Sequence, residues 1–244
     1  MVVISGKDFK EKHEGKKFFK IINNKRNHNE FVYEEGLNVD TNEFNPNGSC
    51  SKGGLYFTDE EHLMEFAGYG ENIWKVDIPD DAQVYEEENK YKADKIIITK
   101  SRKITYDEYL IAVNHNGYAL KYVPNEFITK EICEIAVNQD EIAIEFVPEE
   151  LRTEEMCKMA IKQDGYTFKF VPKELITKEL CELAVNRNSY TFKFVPKELI
   201  TKELCEIAVK KNSNALEFVP NEFITKELCE IAVKQNGNII EYIP

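Results

Sequence analysis

Histidine is scarce in this 244-residue sequence, with four in all, and from Thr105 onward the only one is His115. That later region therefore offers no nucleophile with an imidazole base beside it, which argues against an active site there. Nowhere does the chain approach the roughly 18 consecutive apolar residues that a membrane-spanning helix requires, so no membrane partner is expected. The start lacks the apolar core of a secretion signal, because Met1 to Ile4 is followed at once by charged residues, and a cytosolic protein is expected. For the same reason the acceptor pattern Asn47-Gly48-Ser49 carries little weight. Basic residues are outnumbered, 32 Lys and Arg against 44 Asp and Glu, for a net charge of −12. Such a chain is a poor nonspecific binder of nucleic acid, which needs clustered cations to neutralise phosphates. Lys7 to Arg26 is locally basic and reads as a solvated lead segment.

What is present is ordinary in bulk, with 42% hydrophobic and 31% charged residues, as in a folded globular protein. The six cysteines are Cys50, Cys133, Cys157, Cys181, Cys205 and Cys229, and the last five are spaced by 24. Equivalent residues of stacked helices lie ~10 Å apart. Disulfides need Cα atoms within ~7 Å, and zinc needs four converging ligands. The ladder is therefore expected to be reduced, buried and structural, with no metal or other cofactor.

The same period of 24 governs much else. Val-Pro recurs at Val123-Pro124, Val147-Pro148, Val171-Pro172, Val195-Pro196 and Val219-Pro220, with Ile243-Pro244 at the end, and threonine recurs from Thr105 to Thr225. Within one unit, Thr129 to Gln139 reads as a three-turn helix capped by the Thr129 hydroxyl. Ile132, Ile135 and Ala136 make its buried stripe, widened by Cys133 and Val137, and Lys130, Glu134 and Asn138 face water. Ile128 just before the cap is placed to staple onto Cys133. Asn or Asp ends each helix, for example Asp140 and Asn188, in the left-handed conformation these residues tolerate; Gly117, Gly165 and Gly237 follow directly. A short second helix such as Tyr166 to Val171 carries an apolar pair, Phe168 and Phe170, before Val-Pro stops it. Glu126/Lys130 and Glu174/Lys178 are read as i,i+4 pairs, which accounts for the glutamate ladders without a cation. Such units bury their faces only against neighbours, which predicts a stack.

Two positions vary while the core repeats, and these are the candidate protein-binding residues. One carries Tyr118, Ile142, Tyr166, Tyr190, Asn214 and Asn238; the other carries Lys121, Glu145, Lys169, Lys193, Glu217 and Glu241. From these, Tyr118, Lys121, Tyr166, Lys169, Tyr190, Lys193 and Glu217 are taken as the protein-binding set. The last unit shows Ile239, Ile240, Tyr242 and Ile243 with no polar cap after them, which predicts self-association or docking of a partner there; these four are taken as the self-association set.

The first hundred residues differ in texture. Lys17 to Ile22, Gly53 to Phe57, Ile73 to Ile78, Gln83 to Tyr85 and Lys95 to Ile98 read as strands. Thr58 and Glu61 form a capping box for a helix reaching about Phe66, ended by Gly68 and Gly70. The division expected is a small α+β module over 1–104, joined through Ser101 to Ile104 to an all-α solenoid of six 24-residue helical-hairpin repeats over 105–244. In the module His28, His62 and Cys50 have no spacing that builds a nucleophile site. Gly48, Gly53 and Gly54 lack the Lys and spacing of a phosphate loop. Tyr56, in Gly-Leu-Tyr-Phe-Thr, has a generic likeness to the central strand of ADP-ribosyltransferases, without a matching glutamate.

Asn45 to Cys50, Gly53 to Thr58, Ile78 to Tyr85 and Lys92 to Lys95 resemble the module that precedes ankyrin repeats in mimivirus-like giant viruses. The C-terminal units resemble a tandem-repeat family of unknown function from the same viruses. The resemblance carries no catalytic residues. It implies a viral protein of the host cytoplasm or viral factory, or of the virion. Departures from the repeat are Tyr109 in place of the ladder cysteine, Arg152 in place of the stapling Ile, and Glu154 in place of Lys; each is expected to weaken a contact. The function expected is a non-catalytic scaffold holding a host or viral protein. A virion assembly protein, or an ADP-ribosyl or nucleotide enzyme seated in the first module, are the alternatives.

Overall fold

The computed structural model describes residues 2–28, 30–46 and 51–243. Cys50, Gly48, the Asn47-Gly48-Ser49 pattern and Pro244 lie outside the described residues. The chain divides into two compact units, residues 1–115 with 122–124, and residues 116–121 with 125–244.

Among the described residues the first unit has ten strands: β1 (Val3–Ser5), β2 (Phe18–Ile22), β3 (Asn27–His28), β4 (Phe31–Val32), β5 (Gly36–Val39), β6 (Leu55–Asp59), β7 (Asn72–Asp77), β8 (Gln83–Glu86), β9 (Tyr91–Ala93) and β10 (Lys95–Lys103). Eight of them form one sheet in the order β1-β8-β9-β6-β2-β7-β10-β5, and β3 and β4 pair separately. Every pairing is antiparallel, with Val3 opposite Tyr85 and Phe18 opposite both Asp59 and Val76. The five strands read from the sequence are all there. Missed were β1, β3, β4, β5 and β9, none longer than four residues. Runs that short present little periodicity.

The basic lead segment is not a solvated tail. Helix α1 (Gly6–Lys12) starts on Ser5, whose Oγ accepts from Asp8 N at 3.1 Å. Its one large apolar residue, Phe9, is fully buried, with ring centroids 4.9 Å from Phe18 and 5.2 Å from Tyr91. Lys10 and Lys12 reach out to Asp80 and Glu86, so the cations lie on the wet side of a half-buried helix. The expected capping box is not made either. Thr58 and Asp59 end β6, Thr58 Oγ1 donates to Asn89 O at 2.8 Å, and the helical segment that follows is 3-10, Leu63–Tyr69.

Helix α2 (Tyr106–His115) carries the first repeat's sequence and lies in the first unit. Glu108 caps its start by accepting from Thr105 N at 2.9 Å, and Arg102 holds the same carboxylate at 2.7 and 2.8 Å. Tyr109, at the cysteine position, is 1% exposed, so the larger residue fills core space there.

The second unit is a helical repeat region. Its α-helices are α3 (Lys130–Gln139), α4 (Glu154–Gln163), α5 (Lys178–Arg187), α6 (Lys202–Lys211) and α7 (Lys226–Gln235), and each packs on the next. Thr129, Thr153, Thr177, Thr201 and Thr225 cap them as expected, accepting at 3.2–3.4 Å from the backbone N–H three residues on. Ile132, Cys133, Ala136 and Val137 are buried, as are their counterparts down to Val209.

The residue between helices behaves differently from its sequence reading. Asp140, Asp164, Asn188, Asn212 and Asn236 are extended, with φ between −133 and −151°. Each turns its side chain forward to cap a six-residue 3-10 segment, as Asp140 Oδ1 does by accepting from Ile142 N at 3.0 Å. A short polar side chain serves either role, and here the direct connection of two helical segments leaves N–H groups to satisfy. The glycines that follow answer to space. A Cβ at Gly117 would lie 2.2 Å from Ala136 O, and one at Gly165 would lie 2.8 Å from Ala184 O. At Gly237, in the last repeat, it would meet nothing within 4 Å.

Nor are the expected Glu126/Lys130 pairs the ones formed. Glu126 lies in a separate three-residue 3-10 turn (Asn125–Phe127), ahead of the cap and off the helix. The i,i+4 pairs run inside the α-helices: Lys130–Glu134, Lys178–Glu182, Glu206–Lys210 and Lys226–Glu230. Arg152 does not weaken its repeat; it donates to Val147 O at 2.9 Å and Phe170 O at 2.6 Å, bridging neighbouring units.

Candidate functional site

In a 3-10 helix residues three apart eclipse one another, because each turn takes three residues. The segments Gly117–Tyr122, Gly165–Phe170 and Ser189–Phe194 therefore set Tyr118 beside Lys121, Tyr166 beside Lys169 and Tyr190 beside Lys193. Lys121 Nζ lies 5.4 Å from the Tyr118 ring centroid and 3.3 Å from its hydroxyl. Lys169 Nζ lies 4.5 Å from both the Tyr166 and Phe170 rings, and Lys193 Nζ lies 4.9 Å from the Phe194 ring. These are distances at which a cation is attracted to a ring face.

The rungs connect across repeats. Tyr118 meets Phe146 of the next unit edge-on at 5.1 Å, and Tyr166 meets Phe194 in the same way at 5.8 Å. Tyr190 and Phe218, the following pair of this kind, are 60% and 42% exposed. The two variable positions thus form one aromatic and cationic row, and Phe146, Phe170, Phe194 and Phe218 belong to it. Of the apolar pairs such as Phe168 and Phe170, only the first member (Phe168, Phe192, Leu216) is deeply buried. Their i,i+2 spacing on a 3-10 segment, which cannot bury both residues, was the available signal. Glu145, Glu217 and Glu241 occupy the lysine position on the other units, so the row is cationic at 169 and 193 and anionic at 217 and 241.

The end set separates. Ile239 is 2% exposed and unavailable to a partner, since the last 3-10 segment tucks it under α7, whereas Ile240 and Tyr242 are 66% and 40% exposed and Ile243 is half-buried. Cys229 and Val233 on α7 are partly exposed, although Cys205 and Val209 are buried.

Cys133, Cys157, Cys181 and Cys205 are free and buried, and burial pushes each thiol up to about 11. They stay protonated near neutrality and are neither nucleophiles nor ready ligands. Among the described residues no three His, Cys, Asp or Glu side chains gather as a metal site. His28 and His62 have separate surroundings. His62 Nδ1 is 2.8 Å from Asp59 Oδ1, a hydrogen bond that raises its pKa. Burial pushes the Asp59 carboxyl up, but hydrogen bonds from His62 and Lys16 outweigh it and hold the group below its usual range. His28 lies by Lys20 and is pushed down to about 4, first by burial and then by that cation.

The fold and this row define a helical-repeat protein with a β-rich unit ahead of its repeats. A family model, the domain of unknown function DUF4116, matches residues 109–152, 153–200 and 201–244, more than half of the chain, and the chain belongs to that family. It is similar to proteins of Acanthamoeba polyphaga mimivirus. One, named as ankyrin repeat protein R868, is 36% identical over 114 residues, 42% of this chain and 56% of the relative. Another, named as ankyrin repeat protein R229, is 40% identical over 71 residues, 26% of this chain and 23% of the relative. The uncharacterized protein R869 is 34% identical over 91 residues, 35% of this chain and 66% of the relative. The chain thus spans about half the length of the first of these and less than a quarter of the second. No solved structure matches it. It is a giant-virus repeat protein.

Proposed function

We propose that the repeats stack as a solenoid and that the protein is a non-catalytic scaffold, holding a host or viral protein along its aromatic–lysine row. The observation that carries this reading is the row itself: Lys121, Lys169, Tyr190, Lys193 and Glu217 are exposed, and Tyr118 and Tyr166 are half-buried beside them, with phenylalanines between. Aromatic rings supply contact area at low entropic cost, and rings with cations over them are frequent anchors of protein interfaces. The ankyrin-repeat names of mimivirus relatives fit an interaction role. The partner segment presents carboxylates to Lys169 and Lys193 and an apolar or aromatic group to Tyr190 and Phe218. The setting is the host cytoplasm or viral factory.

The test is a tagged pull-down from infected cells of the full chain beside Lys169→Glu/Lys193→Glu. A stoichiometric protein lost from the double variant, and kept by a Lys202→Glu control away from the row, supports the reading. Equal capture by all three removes the row from the interface.

One observation favours a second reading, self-association in virion assembly: the exposed Ile240 and Tyr242 beside the partly uncovered Cys229 and Val233. Sedimentation velocity at rising concentration decides it. An oligomer that Ile240→Glu dissolves supports assembly, and a monomer throughout excludes it.

A further inference from the structure

From residue 169 onward the charges of the aromatic row come in two blocks. Lys169 and Lys193 stand on successive units, Glu217 and Glu241 on the next two, and all four are exposed. Among the described residues neither lysine has a carboxylate within ion-pair reach. Lys169 meets the Tyr166 and Phe170 rings, and Lys193 meets the Phe194 ring. Nor is a cation paired with Glu217 or Glu241 among the described residues; the ion pairs of this unit run along the α-helices instead. The two glutamates are neighbours, since Glu241 first and Glu217 second hold the Tyr242 phenol above its usual range.

Apolar exposure falls on the same stretch. Among the described residues of the second unit, the large apolar side chains left exposed are Tyr190, Phe218, Ile240 and Tyr242. Uncompensated charge and exposed rings together mark a surface that is covered in use. A row that reads plus, plus, minus, minus is its own complement once turned end for end. Packed helices lie ~10 Å apart, so the stretch from 169 to 241 is about 30 Å long, enough for an interface at the lower end of the stable size range.

We propose that two copies of the chain associate antiparallel through this row, about a two-fold axis between the units that carry Lys193 and Glu217. Lys193 then faces Glu217 of the second copy, Lys169 faces its Glu241, and the same contacts recur by symmetry. Tyr190 meets Phe218 of the second copy near the axis, and Ile240 and Tyr242 rest against its Phe170. Glu145, one unit earlier, falls outside the contact. A parallel arrangement offset by two units would pair one copy's lysines with the other's glutamates and leave the remaining charges unmet. The two-fold contact satisfies both blocks and closes, so assembly stops at a dimer. The inference rests on the self-association reading and extends that contact from the last unit along the row. A protein that takes Lys169 and Lys193 must therefore displace the second copy.

The test is sedimentation velocity of the full chain from ~1 to ~100 μM, beside Lys169→Glu/Lys193→Glu and Glu217→Lys/Glu241→Lys. The wild type is expected to dimerise in that range. Each double reversal sets like charges against each other along the whole row and weakens the dimer at least about tenfold. Mixed in equal amounts, the acidic-row and basic-row variants regain it, which unfolded variants would not do. If either double variant does not fold, the single exchanges Lys193→Glu and Glu217→Lys decide in the same way. A wild-type oligomer that neither reversal weakens, or variants that stay apart when mixed, overturns the two-fold row contact and leaves self-association through the last unit standing. A wild type that is monomeric throughout overturns both.

Discussion

In the first unit Val3 pairs with Tyr85 and Phe18 with Asp59, so its sheet closes only when distant stretches meet. In the second, Ile132, Cys133, Ala136 and Val137 recur as Leu180, Cys181, Ala184 and Val185, and each helix packs on the helix 24 residues along. One unit is held by contacts that occur once. The other is held by a few contacts repeated, and its stability is close to a sum of units and their interfaces. A lesion in the first unit should therefore spread through the whole sheet, and one in the second should fade with distance along the array.

The largest effect tests that contrast directly. Phe9→Ala and Phe192→Ala each remove a ring that is no more than 1% exposed, and each is expected to cost about 3–5 kcal/mol. Hydrogen exchange read by mass spectrometry separates them. Phe9→Ala should lower protection from β1 to β10 together, because Phe9 touches Phe18, Phe57 and Tyr91 from different strands. Phe192→Ala should lower it most in the units bearing α5 and α6 and least in α3. Uniform loss across the repeat unit would break the comparison.

The next effect has the opposite sign and depends on pH. Lys20 has a folded pKa near 7 against 10.5 when unfolded. Below pH 7 both states hold the proton, and the folded state bears the full cost of a buried charge. Between the two values folding releases the proton, so wild-type stability rises with pH. Lys20→Met should therefore stabilise by about 3 kcal/mol at pH 6, and the gain should shrink as pH climbs toward 10. Urea titrations at pH 6 and pH 9 check it, and a gain independent of pH would mean that the amine is not enclosed.

Legibility followed the same divide. The threonine caps, the buried stripe and the reduced cysteine ladder could be read because each was stated several times over at one spacing. Asp140 and Asn188 were misread because an Asx side chain closes one helix or opens the next with equal ease, and only the φ of the residue decides. That Phe170 and Phe194 stay half-buried while Phe168 and Phe192 are buried was not legible, because a 3-10 segment rotates its side chains differently from an α-helix. In the first unit α1 hid behind its lysines, since a single buried ring, Phe9, makes no periodic signal. The enclosure of Lys20 was not legible at all: Lys20, His28, Tyr56 and Tyr69 meet only after β2 and β6 pair.

A third prediction measures how repeated the repeats are. Thr153→Ala, Thr177→Ala and Thr201→Ala each delete a hydroxyl that accepts at 3.2–3.3 Å, and each is expected to cost about 1 kcal/mol. Chemical denaturation of the three variants should give costs equal within a few tenths. Unequal costs would mean that the units are less alike energetically than in geometry.

The smallest effect sets two ion pairs against each other. Lys178 and Glu182 are 3.8 Å apart on the outside of α5, with side chains 58% and 46% exposed. Water screens such a pair and two long side chains lose freedom to form it, so Lys178→Ala is expected to change stability by less than about 0.5 kcal/mol. In the first unit, Arg102 grips Glu108 through both guanidinium nitrogens while Glu108 also accepts from Thr105 N. Glu108→Gln weakens the grip and the cap at once, so a loss near 1 kcal/mol is expected, larger than that of the α5 pair. Melting in 0.1 M and 1 M salt distinguishes the two causes. Salt screens the exposed α5 pair and should erase what little Lys178→Ala costs, but it leaves the capping hydrogen bond, so most of the Glu108→Gln loss should persist. Equal salt sensitivity would reduce Glu108 to one more surface charge and leave α2 held by packing alone.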